Sequence, residues 1–285
     1  MIDLHCHSHF SDGELHPNDL YLKARQNGVK TLALTDHDTV DGVRLLQKAA
    51  TDNTIQIISG IEFSTRWKKH DIHIVGLNID INSAALNTLI NRQKESRLQR
   101  AIHIAERVEA IGIKDALEKA KAISGHEGIG RPHFAKVFVN EGLARDMQDA
   151  FKRYLGRGRK AYVHTPWISI EEAVEGILQA GGAAVLAHPL KYSLTRTKLN
   201  ELIQAFKMAG GTAIEVISGA MKTDQIKDMC ALCNRFNLLA STGSDFHGEK
   251  LSPVSLGQQP LLPLNCNPVW QNWNNEKEGS SQREI

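Results

Sequence analysis

The chain has 285 residues, of which 41% are hydrophobic, so it can bury the core of one large α/β domain or of a barrel with an insertion. Its 34 basic and 32 acidic side chains leave a net charge of +2, which excludes the broad basic field of a duplex-binding protein. No apolar stretch could cross a bilayer and no secretory signal precedes Asp3, so we expect a cytoplasmic protein. Four cysteines are too few for a disulfide framework, which agrees with a reducing compartment.

Seven short runs of β-branched and aliphatic residues predict strands, and amphipathic patterns between most of them predict helices. The strand runs cover residues 2–5, 31–35, 55–63, 71–77, 183–188, 212–217 and 238–243. The helical patterns cover residues 17–27, 40–50, 169–180, 197–209 and 223–236. This alternation predicts a parallel sheet, either open or closed into a barrel, with its functional site at the carboxyl ends of the strands.

The alternation stops between about residues 82 and 162, where the sequence becomes polar and helical. Helical patterns occupy residues 83–111, 114–124, 133–141 and 145–154 of this block. We therefore predict a discontinuous barrel domain at residues 1–81 and 163–273, with residues 82–162 inserted as a helical cap over its mouth. Residues 274–285 are polar and without periodicity, which predicts a disordered tail.

Histidines and carboxylates cluster at the ends of several predicted strands or just after them. Nine of them are candidate metal ligands: His5, His7, Asp12, His37, Glu62, His73, His188, Asp245 and His247. Alternate residues of a strand face the same side, so the pair His5 and His7 and the pair Asp245 and His247 can each grip one ion. Imidazole with carboxylate suits Zn, Mn or Fe, and nine ligands exceed the needs of one ion. The sequence therefore predicts a cluster of two or three metal ions.

These motifs resemble those of the polymerase and histidinol phosphatase (PHP) superfamily over essentially the whole chain. The resemblance is carried by Asp3-Leu4-His5-Cys6-His7-Ser8, Thr35-Asp36-His37-Asp38, Gly60-Ile61-Glu62-Phe63-Ser64, His73-Ile74-Val75-Gly76, Ala187-His188-Pro189 and Gly243-Ser244-Asp245-Phe246-His247. It implies a distorted seven-stranded β/α barrel with a small inserted helical cap and a trinuclear metal centre. In the ligand pattern that it implies, one ion is held by His5, His7, Glu62 and Asp245, a second by Glu62, His73 and His188, and a third by Asp12, His37 and His247.

Two further motifs lie within the predicted cap, Ser96-Arg97-Leu98-Gln99-Arg100-Ala101 and Gly130-Arg131-Pro132-His133-Phe134. They resemble a PHP subfamily of nucleoside 3′,5′-bisphosphate phosphatases that are also 5′ to 3′ exoribonucleases, the ribonuclease AM type. The resemblance implies hydrolysis at the 3′ side of a nucleotide that carries a 5′ phosphate. We expect Mn²⁺ as the ion, with Zn²⁺ or Fe as alternatives, and nucleoside 3′,5′-bisphosphates and 5′-phosphorylated single-stranded RNA as substrates. No protein or membrane partner is indicated.

Two sets of residues are expected to carry the chemistry and the recognition. Paired divalent ions can stabilise both the attacking and the leaving oxygen at phosphorus, and the two oxygens of Glu62 can bridge such ions. The predicted catalytic residues are Asp12, His37, Glu62 and His247. The predicted substrate-binding residues are Arg97, Arg100, Arg131, His133 and Lys191. Guanidinium groups match phosphate oxygens bidentately, so the three arginines are expected to hold a second phosphate. Asp36 and Asp38 flank His37 and are expected to orient imidazoles.

Other residues and other functions are weaker candidates. His9 lies where the chain should already be turning, and Cys230 and Cys233 lie in an amphipathic helix, so we expect none of the three to bind a metal. Among enzymes the alternative is a histidinol phosphate phosphatase, or another small phosphomonoesterase, for which the extra arginines of the insertion have no evident use. Outside enzymes the alternative is a metal-stabilised, noncatalytic PHP module, against which the complete ligand set argues.

Overall fold

The computed structural model describes residues 1–125, 128–271 and 273. In these residues the strands are β1 (Ile2–Asp3), β2 (Thr31–Leu34), β3 (Gln56–Trp67), β4 (His70–Leu77), β5 (Ile168–Ser169), β6 (Ala183–Leu186), β7 (Ala213–Ser218) and β8 (Leu239–Gly243). The α-helices are α1 (Pro17–Gln26), α2 (Asp41–Ala49), α3 (Ala84–Glu109), α4 (Ala116–Ser124), α5 (Arg131–Asn140), α6 (Met147–Ala150), α7 (Ile170–Gln179), α8 (Arg196–Met208) and α9 (Thr223–Arg235). The seven predicted strands are present with shifts at their ends, and the short β5 was not predicted. The predicted helices are also present, but in the one predicted at residues 145–154 only Met147–Ala150 is α-helical, and Phe151–Leu155 forms a π-helix.

Side-chain caps explain why several helices begin where the sequence predicts. At the start of α7, the Ser169 hydroxyl accepts a hydrogen bond from the Glu172 amide at 3.2 Å, and the Glu172 carboxylate accepts one from the Ser169 amide at 2.8 Å. This reciprocal pair satisfies two amides that the helix itself cannot bond. Pro17 occupies the first turn of α1, where its missing amide hydrogen costs nothing.

The sheet has the order β1-β2-β3-β4-β6-β7-β8, and β5 pairs with β3. Its strands are parallel except β4, which runs antiparallel to both β3 and β6. The prediction of a parallel sheet is therefore wrong for β4. Strand β3 continues to Trp67 and turns back directly through Lys68, whose φ is 52°, without a crossover helix. As a result the first half of β4, which carries His73, lies at the barrel mouth beside Ser64.

The barrel closes between β8 and β1. The Leu4 amide donates to the Thr242 carbonyl at 3.0 Å, and Cys6 forms a parallel bridge with Phe246. This approach requires the glycine at the end of β8, because a Cβ on Gly243 would overlap the Cβ of His5. Closure therefore makes neighbours of the segments that carry the first and the last candidate ligands.

The described residues form three apolar cores, two of which are joined by α3. The largest core packs strands against the surrounding helices and includes Phe63 and Ile90. A smaller one consists mainly of strand residues such as Val75. The third core lies among α3 to α6 and includes Ile104 and Phe134. Because α3 contributes to the largest and the third core, one continuous helix joins the inserted helices to the barrel.

Some predictions about the chain as a whole are not tested by these residues. The domain boundaries at residues 82 and 162 and the cytoplasmic location stay predictions. The tail predicted at residues 274–285 lies outside the described residues. Within the described residues, no helix is long and apolar enough to cross a membrane.

Candidate metal centre and phosphate site

Two of the candidate ligands, His5 and His7, follow β1 and are completely buried. Their Nε2 atoms are 3.1 Å apart, so both imidazoles face the same point. The intervening Cys6 points away and donates its thiol to the Ala33 carbonyl at 3.2 Å. The alternation of an extended chain therefore places both histidines on the interior of the barrel mouth.

The carboxylate of Glu62, in the middle of β3, lies at the centre of the site. Its Oε1 is 2.9 Å from both His73 Nδ1 and His188 Nε2. Its Oε2 is 3.3 Å from the Nε2 atoms of His5 and His7. This oxygen also lies 3.0 Å from Nδ1 of a further imidazole, that of His37. One buried carboxylate is thus surrounded by five histidines.

Asp12 gathers three histidines on one side of this centre. Its Oδ1 is 3.3 Å from His247 Nε2 and 3.8 Å from His7 Nδ1. Its Oδ2 is 3.7 Å from His37 Nε2. Asp12 is half-buried on the loop after β1, so this side of the site opens to solvent more than the side around Glu62.

Asp245 and His188 reach the centre through unusual backbone conformations. Asp245 has a φ of 52° and His188 a φ of 28°, in the region that favours glycine. The turn after β8 places Asp245 Oδ1 3.3 Å from His7 Nε2 and 3.5 Å from His5 Nε2. Backbone strain of this kind is held in place by surrounding structure and concentrates at functional sites.

All nine candidate ligands belong to at least one of four groups whose ligand atoms lie within 4.8 Å of one another. The groups are His7, Asp12, His37 and His247; His5, His7 and Asp245; His5, Glu62 and His188; and His37, Glu62 and His73. Because the groups share members, they form a single cluster, which we call the Glu62 cluster.

The donor atoms of the Glu62 cluster fit divalent metal ions. Asp12 Oδ1, His37 Nδ1 and Glu62 Oε2 are buried and have no hydrogen-bond partner among the described residues. Buried polar atoms are costly when they lack a partner, and cations bound by the four groups would supply partners for these three atoms. Mixed imidazole and carboxylate ligands are typical of zinc, manganese and iron sites. The cluster is therefore a site for divalent metal.

The charges of the Glu62 cluster separate the pKa values of its histidines. Burial by itself lowers the pKa of His7, but the contacts with Asp245 and Glu62 outweigh it and raise this pKa to about 10. Burial lowers the pKa of His37 to about 3 in spite of the nearby Glu62 and Asp12 carboxylates. Burial raises the pKa of Glu62, yet the surrounding histidines hold it well below its ordinary value. In the absence of metal, a proton on an imidazole such as that of His7 thus supplies positive charge that bound ions would otherwise supply.

Glu215 holds two members of the cluster, His5 and His188, in position. This role was not predicted from the sequence. Glu215 is buried in β7, where one carboxylate oxygen lies 2.6 Å from His5 Nδ1 and the other accepts from the His188 amide at 2.6 Å. A carboxylate on Nδ1 holds the ring so that Nε2 faces the metal site. An acid within the otherwise apolar run Ala213–Ser218 is the signal that could have revealed it.

Asp36 and Asp38 do not orient imidazoles as expected. Asp36 accepts from the Ser8 amide at 2.7 Å and from the Ser8 and Ser11 hydroxyls at 2.6 and 2.7 Å, so it holds the loop that carries Asp12. Asp38 accepts from the Ser64 amide at 2.8 Å and otherwise from side chains of α3. The two carboxylates beside His37 therefore tie its loop to the loop after β1, to β3 and to α3, and neither contacts the imidazole of His37.

The three predicted arginines lie close together, but their surroundings differ. Arg97 donates to Asp38 through Nε at 2.7 Å and to the Ser64 hydroxyl at 3.0 Å. Arg100 is 6% exposed, and its Nε has no hydrogen-bond partner among the described residues. Burial and the charges of Arg97 and Arg131 lower the pKa of Arg100 well below its ordinary value. The guanidinium groups of Arg100 and Arg97 both lie over the Trp167 ring, at 4.7 Å and 5.2 Å from its centroid.

The two remaining predicted substrate-binding residues have structural contacts of their own. His133 Nδ1 accepts from the Gly130 amide at 2.9 Å, which fixes the ring at the start of α5. The Lys191 ammonium pairs with the Asp245 carboxylate and lies at the edge of the Glu62 cluster. Residues dismissed from the sequence lie elsewhere: His9 stacks on His16, and the Cys230 sulfur contacts the Cys266 sulfur at 2.7 Å in the barrel core.

A barrel with a mixed ligand cluster at its mouth and an inserted helical segment is the architecture of one known family. The PHP domain matches residues 3–218, and the chain belongs to the PHP domain family.

Several known proteins are similar to this chain in sequence or in structure over nearly its whole length. A protein named 5′-3′ exoribonuclease from Haemophilus influenzae is 40% identical, covering 94% of this chain and 97% of its own. A protein named 3′,5′-nucleoside bisphosphate phosphatase from Chromobacterium violaceum is also 40% identical, with 95% of both chains covered. The structure of an amidohydrolase from Chromobacterium violaceum, with bound sulfate and no metal, is 39% identical with a TM-score of 0.90 over 96% of both chains. The likeness therefore includes the inserted helices as well as the barrel.

Proposed function

We propose that this protein is a metal-dependent phosphoesterase that hydrolyses the 3′ phosphate of nucleoside 3′,5′-bisphosphates and acts as a 5′ to 3′ exoribonuclease on 5′-phosphorylated RNA. The observation that carries the proposal is that Arg97 binds Asp38 and Ser64, which lie one and two residues from the cluster members His37 and Glu62, and shares the Trp167 ring with the buried Arg100. Arg100 forms no salt bridge with the described residues. The names of the two similar proteins support these two activities.

In this proposal all nine ligands hold two or three divalent ions. Ligand sets of His5, His7, Glu62 and Asp245, of Glu62, His73 and His188, and of Asp12, His37 and His247 are compatible with the contacts in the cluster. Bound ions supply the positive charge that activates water near neutral pH and stabilises the phosphoryl oxygens. Mn²⁺ is the ion we propose, because it accepts both imidazole and carboxylate ligands.

The arginines form the second half of the site, where a 5′ phosphate would bind. Arg100 is buried, its Nε has no hydrogen-bond partner among the described residues, and the charges of Arg97 and Arg131 oppose its own, so an anion is a suitable partner for it. A phosphate offers several oxygens to the forked guanidinium groups of Arg100 and Arg131. Asp38 already binds Arg97, which therefore contributes its charge and holds the helix rather than offering a free fork. We propose His133 and Lys191 as further contacts to substrate.

We propose that β3 connects the sites of the two phosphates. Ser64 follows Glu62 by two residues on β3, and its hydroxyl accepts from Arg97 of α3. The same strand thus carries the central carboxylate and touches the arginine group. A nucleotide with phosphates on O5′ and O3′ spans two such sites, whereas a simple phosphomonoester fills only one.

The two proposed activities break the same bond. In both substrates the oxygen of water bonds to phosphorus, the bond from phosphorus to O3′ breaks, and O3′ takes a proton. The first product is a nucleoside 5′-monophosphate in each case. The second product is inorganic phosphate from the bisphosphate and a shortened RNA with a new 5′ phosphate from the polymer.

The proposal is tested by supplying Mn²⁺ and measuring product release from adenosine 3′,5′-bisphosphate, histidinol phosphate and 5′-phosphorylated RNA in parallel. We expect phosphate from the bisphosphate and nucleoside 5′-monophosphates from the RNA, with little phosphate from histidinol phosphate. Glu62→Gln protein prepared in the same way controls for contaminating phosphatases and nucleases. Rapid hydrolysis of histidinol phosphate alone would contradict the proposal.

A further inference from the structure

A pocket opens beside the Glu62 cluster, next to the loops that follow β6 and β7. Its volume is about 150 Å³, and its lining includes His188, Lys191, Ser218, Met221 and Gln225. Sites for a whole drug-sized ligand usually measure about 300 to 1,000 Å³, so this pocket suits one part of a ligand, such as a single base. His188 and Lys191 on its wall have roles in the function proposed above, but the space beside Ser218, Met221 and Gln225 has none.

The pocket lies across the barrel mouth from the arginines. Arg97 contacts Asp38 after β2 and Ser64 in β3, whereas the pocket is formed after β6 and β7. Going round the barrel from β3 to β6, one strand, β4, lies between the arginine side and the pocket side. Going the other way, from β7 to β2, the strands β8 and β1 lie between them. His188 contributes to both the Glu62 cluster and the pocket wall, so the metal site lies between arginines and pocket.

The lining of the pocket combines apolar faces with a few polar atoms. Met221 and the buried Met229 contribute adaptable thioether side chains. The Ser218 hydroxyl oxygen is buried and has no hydrogen-bond partner in the part of the chain that the structure describes. Gln225 uses its Oε1 to accept from the Lys222 amide, so its NH₂ group remains as a donor. A nucleobase, with apolar faces and polar edges, matches this chemistry.

We propose that the pocket receives the base of the second nucleotide of an RNA substrate, the nucleotide joined through its O5′ to the scissile phosphate. This inference rests on the function proposed above. The second nucleoside stays bonded to phosphorus when the bond to O3′ breaks, and it must leave the cluster on the side opposite the arginines. A nucleoside 3′,5′-bisphosphate carries only an oxygen at that position and leaves the pocket empty.

Ala220→Phe tests the proposal, because Ala220 lines the pocket and is exposed, so a larger side chain fills the pocket without entering the core. We expect kcat/KM for a 5′-phosphorylated dinucleotide to fall by about tenfold or more, which corresponds to about 1.4 kcal/mol. The value for adenosine 3′,5′-bisphosphate should stay near that of the unchanged protein. Ala231→Phe is the matched control, since Ala231 is an exposed alanine of α9 that does not line the pocket.

Equal losses on the two substrates, or no loss on the dinucleotide, would overturn the proposal. The activity of the unchanged protein tests the proposed function separately. If that protein does not hydrolyse the bisphosphate, the proposed function is wrong, whatever the pocket variants do.

A second measurement needs no variant. A dinucleotide whose second residue lacks its base should show a raised KM with the unchanged protein, and an unchanged KM would exclude the base from the pocket.

Discussion

Replacing Arg100 with methionine should lower the activity of this protein without lowering its free energy of unfolding. Arg100 is almost fully buried, forms no salt bridge with the residues that the structure describes, and is exposed to the charges of Arg97 and Arg131. Methionine is unbranched and apolar and fills most of the volume of the arginine stem without the charge. If Arg100 stabilises the fold, its replacement should lower the free energy of unfolding. If Arg100 instead binds an anion, its replacement should leave that free energy unchanged or raise it.

The expected magnitudes follow from these surroundings. Replacing buried ionic groups with apolar ones of similar volume is often neutral or stabilising by about 1 to 4 kcal/mol. We therefore expect the free energy of unfolding of Arg100→Met to equal or exceed that of the unchanged protein. A hydrogen bond to a charged group contributes about 1.5 to 3 kcal/mol. Loss of the phosphate contact should thus lower kcat/KM by about tenfold to 150-fold.

The assay compares thermal unfolding with kcat/KM on two substrates, adenosine 3′,5′-bisphosphate and adenosine 3′-monophosphate. Only the bisphosphate carries the 5′ phosphate, so its hydrolysis should lose far more activity than that of the monophosphate. Arg92→Met is the matched control, because Arg92 lies on the same helix in an exposed pair with Glu172. A variant that loses about 3 to 5 kcal/mol of stability, as when a buried ion pair is broken, and loses both activities equally would refute the reasoning.

Three further predictions concern the metal site. Glu62→Gln should abolish turnover while circular dichroism stays native, because a neutral amide cannot offset the charge of the ions; near-native kcat would argue against a hydrolytic cluster. Glu215→Gln should weaken metal affinity by about 10- to 100-fold in a metal titration, with kcat restored at saturating metal, because Glu215 positions His5 and the His188 backbone. An unchanged affinity would contradict this role. Chelation should abolish activity and lower the melting temperature, and added Mn²⁺ should restore both; full activity of metal-free protein would exclude a metal-dependent reaction.

The direction of β4 shows where sequence patterns stop being informative. The alternation of apolar residues is the same in parallel and antiparallel strands, so periodicity located β4 but not its direction. The turn between β3 and β4 contains Lys68 and Lys69 in place of the glycine or asparagine that usually marks a hairpin. Lys68 adopts a left-handed conformation despite its side chain, and nothing in its residue type predicts this.

The candidate site was predictable as far as its residues follow strand ends. His5, His7 and Asp245 could be placed together because consecutive strands of a barrel end at one mouth. The side chains that donate to Asp38 could not be predicted, because Gln93 and Arg97 lie on α3, more than fifty residues further along the chain. Glu215 was missed because a single acid in a strand gives no spacing to interpret.

The contacts of Asp38 limit how the inserted helices could be exchanged between related proteins. Asp38 is buried, and Gln93 and Arg97 of α3 supply hydrogen bonds and a positive charge to its carboxylate. A barrel given a different insertion would keep this carboxylate but lose its partners. An uncompensated buried charge of this kind typically costs about 3 to 5 kcal/mol. The loop that carries His37 and the helix that carries the arginines must therefore change together, in evolution as in any attempt to redesign the substrate range.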